Sequence, residues 1–316
     1  MDIVASTDKW YVMPTGVMMQ SVCVNNPDVD IVFHVVIDDN VTKKDQQDLK
    51  NVVASFSGKS LVFYNISEYI KNYRFPSLDY GLTRAAYFRL WLAEFLPKTI
   101  NKILYLDVDI IVRHSLLPLW NTNLDGYAVA AVPVDNWKVT VEYYSRLNES
   151  PLLGYFNSGV LLINLKYWRD FVVLKDFEEY MQTHFDEIWY CDQDVLNYVF
   201  MKKKIDLPFK YNMQCGFVQK HSPYDIRYEE EVLESRKDPV IIHYNGDNPW
   251  NAYMRNYHPY RSSFYKYQDQ TKWKGKRVET RPFKLRMINF AADLLRKWGL
   301  KRQLVSDIYL DIDPID

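Results

Sequence analysis

The sequence predicts an α/β protein built on one mostly parallel sheet, with a basic helical extension at its C-terminal end. Through the first two-thirds of the chain, short runs of β-forming residues alternate with helical patterns. This alternation is typical of right-handed βαβ units, in which helices cover both faces of the sheet. From about residue 265 onward the composition turns basic and helical.

The predicted elements follow one another with recognisable start and stop signals. Asn25-Asn26-Pro27 ends a first helix, and Thr83 and Pro97 bound a later one as its predicted N-cap and stop. In chain order, the predicted elements are strand 3–5, a helix around 17–22, strand 31–37, helix 43–56, strand 61–64, helix 84–96, and strands 102–106, 128–132, 160–164 and 240–243.

Length and composition limit the possible classes of function. The 316 residues are 48% hydrophobic with a formal net charge of -1, so a large core can form and no overall field favours nucleic acid. We expect a main domain over 1–265 and an extension over 266–316. No signal peptide opens the chain and no uncharged apolar run of about 18 residues occurs, which predicts a soluble or peripheral protein. The three cysteines lack metal-site spacing and indicate reduced thiols in an intracellular protein.

Two carboxylates directly follow the predicted strand 102–106. Side chains alternate in an extended segment, so Asp107 and Asp109 project from one side. In open α/β sheets, ligands gather beyond the carboxyl ends of strands. Two hard oxygen ligands on one face suit Mg²⁺ or Mn²⁺, with positions left for diphosphate oxygens. The alternative is a solvated strand end, which the apolar runs on both sides disfavour.

The same Asp-x-Asp spacing supports a competing enzyme class. In phosphatases of the haloacid-dehalogenase type, the first Asp is the nucleophile and the second is the acid or base. That motif normally lies near the N-terminus, has Thr or Val where Ile111 stands, and needs a later acidic pair for its metal. Despite these differences, phosphatase activity is kept as a second hypothesis.

A histidine follows the apolar run 240–242. The imidazole of His243 would complete a Mn²⁺ site with two carboxylates, because neutral His suits borderline metals. Gly246 would let the backbone approach a phosphate closely. The alternative is a hydrogen-bonded core histidine.

Three further segments carry polar groups that would suit a sugar ligand. Asp192-Gln193-Asp194 opens a predicted helix, where the acids either complement the helix dipole or reach the sugar. The predicted turn 154–159 presents Asn157 and backbone groups. Arg89 either faces a diphosphate or pairs on the surface.

Taken together, these segments resemble glycosyltransferase family 8, especially its bacterial lipo-oligosaccharide and lipopolysaccharide hexosyltransferases. The matching stretches occur in the family's order and cover about residues 1–265. They are 1–4 with Asp8 and Tyr11, 87–90, 104–109, 155–165, 192–194, and 243–246 with Pro249-Trp250.

The resemblance implies a GT-A catalytic domain over 1–265: one doubly wound, mostly parallel sheet with a Rossmann-like nucleotide-binding half. It implies a retaining hexosyltransferase that takes UDP-galactose or UDP-glucose and usually Mn²⁺, with Mg²⁺ as the alternative. The implied acceptor is a cell-surface glycan or glycolipid such as lipopolysaccharide. Nucleic acid is not an expected partner.

The resemblance also assigns the site residues. The implied metal ligands are Asp107, Asp109 and His243. The implied donor-binding residues are Ser6 and Asp8 at the uridine, Arg89 at the phosphate and sugar, and Val108 and Gly246. The implied catalytic positions around the hexose are Asp135, Asn157, Asp192 and Gln193.

Two departures from the family pattern affect the donor site. The family often has a lysine before Pro-Trp that contacts the diphosphate, but here Asn248 stands at that position. Other groups are therefore expected to carry more of that charge. Family members also commonly have a small residue and a second acid near the uridine, whereas Lys9 and Trp10 follow Asp8 here.

The expected mechanism is attack by the acceptor hydroxyl from the face that the nucleoside diphosphate leaves, with a diphosphate oxygen as base. A double displacement would need a nucleophile instead. Gln193 is a poor one, and the carboxylate of Asp192 or Asp194 would be chemically better. A third hypothesis is a catalytically silent nucleotide-sugar-binding protein with the same fold.

The extension has an amphipathic pattern. Phe283, Met287, Phe290, Leu294 and Trp298 follow helical spacing, flanked by lysines and arginines between 284 and 302. This pattern is typical of a helix lying on an anionic membrane surface. The alternative is a terminal helix that docks its apolar stripe on the domain. A lipid-linked acceptor favours the first alternative, with the protein on the cytoplasmic side of the cell membrane.

Overall fold

The computed structural model describes residues 1–76, 84–220, 224–251 and 258–277, together with 287, 288, 291, 294, 295 and 298–300. Its strands are β1 Asp2–Ser6, β2 Ile31–Ile37, β3 Lys59–Asn65, β4 Lys102–Leu106, β5 Ile110–Val112, β6 Val129–Pro133, β7 Phe156–Asn164, β8 Lys204–Asp206 and β9 Ile241–His243. Its α-helices are α1 Val12–Asn25, α2 Lys43–Ala54, α3 Ser67–Ile70, α4 Leu92–Phe95, α5 Leu117–Trp120, α6 Trp137–Arg146, α7 Leu165–Asp170, α8 Val173–Thr183, α9 Asp192–Phe200, α10 Glu229–Lys237 and α11 Arg261–Gln268.

A seven-stranded sheet has the order β3-β2-β1-β4-β7-β6-β8. Strands β3, β2, β1 and β4 are parallel, β7 is antiparallel to β4 and β6, and β8 is parallel to β6. The mostly parallel α/β fold is thus confirmed, and the parallel half is the Rossmann-like part. A second, two-stranded antiparallel sheet of β5 and β9 adds to the single predicted sheet.

Both faces of the large sheet are buried, as the apolar runs predicted. Successive side chains of β1 point to opposite faces, so Ile3 packs with α1 and α2 while Val4 packs with Phe88 and Trp168. Burial on both sides explains why the strands have nearly continuous apolar sequences instead of alternating ones.

One predicted helix differs in type, and one predicted boundary was wrong. The predicted helix 84–96 is helical as expected, but as a 3₁₀-helix over Arg84–Trp91 followed by α4. The Nε group of Arg89 donates to the carbonyl of Ala86, which a continuing α-helix would use internally. The predicted turn 154–159 already contains the start of β7, because the Asn197 amide pairs with both backbone groups of Phe156, each at 2.8 Å. The predicted cap Thr83 lies outside the described residues.

The beginning of the predicted extension packs on the main domain. Helix α11 contacts α1, and the rings of Tyr267 and Trp273 are buried. Trp273 occupies the space beside Gly16, where a Cβ would come within 2.3 Å of its ring. The division at residue 265 stays a prediction.

Farther along, the described residues 287, 288, 291, 294 and 295 are helical. Met287, Leu294 and Trp298 are exposed, whereas Phe283 and Phe290 of the predicted apolar stripe lie outside the described residues. Among the described residues, no helix has both the length and the apolar character that a bilayer span requires.

Candidate active site

One cleft of about 620 Å³ opens where β1 and β4 end and the antiparallel β7 begins. Strand ends at one edge of an open α/β sheet are the usual place for ligands. Every residue that the resemblance implied for the site lines this cleft: Ser6, Asp8, Arg89, Asp107, Val108, Asp109, Asp135, Asn157, Asp192, Gln193, His243 and Gly246. The structure therefore brings the predicted residues together, while their individual roles remain predictions.

Asp107, Asp109 and His243 converge at the floor of the cleft. The aspartates lie between β4 and β5, and His243 ends β9 opposite Ile110 of β5. His243 Nε2 lies 3.1 Å from Asp109 Oδ1 and 3.9 Å from Asp107 Oδ2. One ligand atom from each residue lies within 4.8 Å of the others. Two carboxylates and an imidazole at this spacing fit a Mn²⁺ or Mg²⁺ ion, with room for oxygen ligands from a substrate.

The strand beside these residues leaves them space. A Cβ on Gly159 would lie 2.3 Å from His243 Cε1 and 2.9 Å from Asp107 Oδ2. The Gly159 carbonyl in turn accepts from the backbone N–H of Asp107 at 2.8 Å. Glycine is therefore needed at position 159, because only a residue without a side chain lets β7 approach His243 and Asp107 this closely.

The imidazole and the carboxylates stabilise each other's charged forms. Burial by itself would lower the pKa of His243, but the Asp109 carboxylate raises it above its ordinary value. Burial would likewise raise the pKa of Asp109, and His243 holds it below its ordinary value. The group thus attracts positive charge, which a metal ion can supply by replacing the proton on the imidazole.

Arg89 is the buried cation of the site. Its guanidinium pairs with Asp107 at 2.9 Å and with Asp192 at 3.0 Å, and lies 4.2 Å from the centre of the Tyr105 ring. Burial would lower the pKa of Arg89, but the two carboxylates raise it above its ordinary value. Arg89 therefore offsets part of the acidic charge of the cleft from within the protein.

Asp192 and Gln193 form the wall of the cleft at the start of α9. Burial raises the pKa of Asp192 to about 7, although the Arg89 guanidinium beside it favours the charged form. Gln193 Oε1 accepts from the backbone N–H of Ser158 at 3.0 Å and from Asn157 Nδ2 at 3.1 Å. Gln193 is therefore held firmly against β7.

Asp194, the other carboxylate considered as a nucleophile, is 0% exposed and does not line the cleft. Its oxygens accept from the backbone N–H groups of Trp189 and Tyr190 and from the Tyr155 hydroxyl. These contacts hold Asp194 in the protein interior, outside the cleft.

Asp135 also lines the cleft. Its Oδ2 accepts from the backbone N–H of Gly216 at 2.6 Å, and its own N–H donates to Gln214 Oε1 at 3.1 Å. Burial raises the pKa of Asp135 above its ordinary value, while the Gly216 N–H opposes this shift. A Cβ on Gly216 would come within 2.5 Å of the carboxylate, so this segment also requires glycine.

The predicted uridine end lies at the beginning of α1. Asp8 Oδ1 accepts from the backbone N–H groups of Trp10 at 2.8 Å and Tyr11 at 3.3 Å. Burial, together with the nearby carboxylates of Asp109 and Asp8, raises the pKa of Tyr11 to about 12. Trp10 is 74% exposed and does not line the cleft.

At the position where a lysine was expected, Asn248 lines the cleft. Its Nδ2 donates to the Tyr244 carbonyl at 3.0 Å and lies 3.4 Å from Asp109 Oδ2. Neighbouring Gly246 has φ 110°, a backbone conformation that favours glycine. A neutral amide therefore stands next to Asp109, where the family often has a cation.

Several residues of the site escaped the sequence analysis. Tyr105, Tyr190 and Asn251 line the cleft, and Asn212 accepts from His243 Nδ1 at 2.9 Å. Asn212 belongs to no motif, because it follows a short 3₁₀-helix in a segment without periodicity. Only its contact with His243 reveals it.

The chain is similar to known glycosyltransferases over most of its length. The pattern described as "Glycosyl transferase family 8" matches residues 2–253. "General stress protein A" of Bacillus subtilis is 27% identical over 278 residues, covering 86% of this chain and 94% of that protein. The lipopolysaccharide 1,2-glucosyltransferase of Escherichia coli K12 is 28% identical over 255 residues, covering 80% and 73%. The solved structure of the galactosyltransferase LgtC with donor and acceptor sugar analogs has a TM-score of 0.73 at 26% identity, covering 91% of this chain and 99% of that one.

Replacing the glycine beside the ligands tests the metal site. Gly159→Ala should weaken Mn²⁺ binding at least tenfold, because the new methyl group would displace His243 or Asp107. Calorimetric titration of the folded variant measures this. Gly275→Ala is the matched control: its φ of 73° makes alanine strained, but no atom lies within 4 Å of a Cβ there. It should lose stability and keep its Mn²⁺ affinity. Wild-type affinity in Gly159→Ala would contradict the geometry.

Asp192→Asn should reduce the pH dependence of stability between about pH 5 and pH 7. The pKa of Asp192 is about 7 when folded, against 3.8 normally, so the folded state binds the proton more tightly. Wild-type stability is therefore lost as pH rises through this interval, by about 2 kcal/mol from this group. Urea unfolding without divalent cations measures the difference between wild type and variant. Asp125→Asn, at an exposed position, is the control. A wild-type-minus-variant difference independent of pH would contradict the prediction.

Proposed function

The chain belongs to glycosyltransferase family 8 and is a hexosyltransferase, and from this premise we propose that it transfers galactose or glucose from a UDP-sugar, with retention of configuration, to a cell-surface glycan. The observation that carries the proposal is the convergence of Asp107, Asp109 and His243 at the floor of the cleft. Two of the three similar proteins named above are a lipopolysaccharide glucosyltransferase and a galactosyltransferase, which supports both donors and an acceptor of the lipopolysaccharide type. Family membership removes the phosphatase hypothesis.

The three converging residues would hold a Mn²⁺ or Mg²⁺ ion. When bound, this cation would offset the negative charge that develops on the leaving nucleoside diphosphate. Two carboxylates and one imidazole leave coordination positions for donor oxygens, and the open side of the group faces the cleft. Val108, between the two aspartates, and Gly246 with its neighbouring backbone would lie along the donor.

Arg89 would supply the fixed positive charge near the donor phosphate and sugar. Because Asp107 and Asp192 already pair with Arg89, these two carboxylates neutralise part of its positive charge. Asn248 adds no charge of its own. We therefore expect the enzyme to depend strongly on its divalent cation for neutralising the diphosphate.

The surroundings of the proposed hexose site favour attack on the same face that the diphosphate leaves. Gln193 Oε1 already accepts two hydrogen bonds, and an amide is a weak nucleophile. Asp194 is buried behind the wall, and Asp192 pairs with Arg89. Asp135, Asn157, Asp192 and Gln193 would then orient the sugar and stabilise positive charge at its anomeric carbon, while a diphosphate oxygen takes the proton of the acceptor hydroxyl.

Removing one carboxylate should abolish most of the turnover. Asp107→Asn should lower the rate by orders of magnitude, because stabilising charge on the leaving group is usually the largest catalytic contribution. The measurement is release of UDP from UDP-galactose and UDP-glucose with and without Mn²⁺. Asp125→Asn is the control and should behave as wild type. Unchanged activity in Asp107→Asn would refute the metal assignment, and donor binding without any UDP release in wild type would favour a silent binding protein.

We also propose that the extension holds the protein on the cytoplasmic face of the membrane. Met287, Leu294 and Trp298 are exposed apolar side chains within a strongly basic segment, which suits an anionic lipid surface. Such a position would bring the cleft to a lipid-linked acceptor.

Flotation with anionic liposomes tests this position. Full-length protein should float, and protein truncated at residue 281 should not, since the truncation removes both the apolar residues and most of the charge. Neutral liposomes are the control and should bind the protein weakly, because they carry no anionic lipid to attract its basic residues. Equal, negligible flotation of both proteins with anionic liposomes would end the idea.

A further inference from the structure

We propose that Asn212 is a positioning residue that fixes the tautomer of His243, as the last of three buried amides whose orientation is set by the backbone of β7. When a metal replaces the proton on Nε2, the imidazole keeps its proton on Nδ1. This inference rests on the proposed function insofar as it concerns metal binding. The tautomer itself can be observed independently.

The three amides form a continuous chain from the hexose wall to the metal site. Asn157 Nδ2 donates to Gln193 Oε1 at 3.1 Å, and Asn212 Nδ2 donates to Asn157 Oδ1 at 2.8 Å. Asn212 Oδ1 lies 2.9 Å from His243 Nδ1. All four side chains are at least nine-tenths buried, so water does not compete for these bonds.

Backbone donors determine which end of each amide is the oxygen. The N–H of Ser158 points at Gln193 at 3.0 Å, so the Gln193 atom there must be an acceptor. The N–H of Gly159 likewise points at Asn157 at 3.0 Å, so that Asn157 atom must be its oxygen. Asn212 must then turn its NH₂ group toward Asn157.

The oxygen of Asn212 consequently faces His243. A carbonyl oxygen only accepts, so Nδ1 must carry the proton that joins them. Nε2 lies 3.1 Å from Asp109 Oδ1, a carboxylate oxygen that also only accepts, so the metal-free imidazole donates from both nitrogens. A metal at Nε2 would replace that proton alone and leave the one on Nδ1 with Asn212. A second partner that orients a metal-binding histidine through its other ring nitrogen raises metal affinity, and losing it typically costs about 10–100-fold.

The same chain links two parts of the cleft that serve different ends of the donor. Gln193 belongs to the proposed hexose wall, and His243 to the proposed diphosphate site. Two consecutive N–H groups of one strand orient both, so their relative positions are fixed by β7.

Nitrogen NMR of ¹⁵N-histidine-labelled protein, recorded without and with Mg²⁺, tests the tautomer directly. Near neutral pH the metal-free His243, assigned with His243→Gln, should carry protons on both nitrogens, and Mg²⁺ should remove only the Nε2 proton. Asn212→Leu should lose the hydrogen bond at Nδ1 and bind Mn²⁺ about 10–100-fold more weakly in calorimetric titration. Asn212→Asp keeps an acceptor at Nδ1 but loses the donor to Asn157 Oδ1. It should retain the Nδ1 proton, so it preserves the tautomer test if Asn212→Leu fails to fold.

A matched control separates this effect from general destabilisation. Asn26 is also a buried asparagine that bonds to backbone, with Val22 and Leu116, but lies outside the cleft. Asn26→Leu should lower stability without changing Mn²⁺ affinity. A wild-type Nδ1 without a proton, or unchanged Mn²⁺ affinity in Asn212→Leu, would overturn the proposal. Protons on both nitrogens of His243 in a wild-type protein that binds neither Mg²⁺ nor Mn²⁺ would support the hydrogen bond from Nδ1 and refute the metal part of the proposed function.

Discussion

The pairing of β9 with β5 is the interaction on which the site depends. It carries His243 from a late part of the chain to the two aspartates that follow β4, and the carbonyl of Asp109 accepts from the backbone N–H of Tyr244 at 2.9 Å. The small second sheet therefore holds His243 at the end of the large one. Gly159 makes this close approach possible, since any side chain there would overlap His243 and Asp107.

Charge is the second constraint on the site. Several carboxylates lie in a cleft that would also bind an anionic diphosphate, and burial makes their ionised forms costly. Arg89 compensates Asp107 and Asp192 from within, while His243 compensates Asp109. The remaining negative charge favours the binding of a cation in the cleft. The same electrostatic arrangement thus stabilises the empty protein and prepares it for its proposed substrate.

The neutral amide side chains have a different role from the charged ones. Gln193, Asn157 and Asn212 add no charge, but their hydrogen bonds have a direction that two backbone N–H groups impose. They can therefore orient a histidine and a cleft wall without altering the balance between acids and cations. Asn248 shows the same preference for a neutral amide where a lysine was expected.

The sequence by itself determined the α/β class, most of the strands and many of the residues that line the cleft. Apolar strands that end in carboxylates carry this information locally, because strand ends and ligand chemistry are both visible over a few residues. The tertiary structure alone decided the start of β7, the 3₁₀ winding of Arg84–Trp91, the second sheet and the contact of Asn212 with His243. Each of these depends on a partner far away in the chain, such as Asn197 for Phe156 or His243 for Asn212, and a distant hydrogen bond leaves no periodic signal in the sequence.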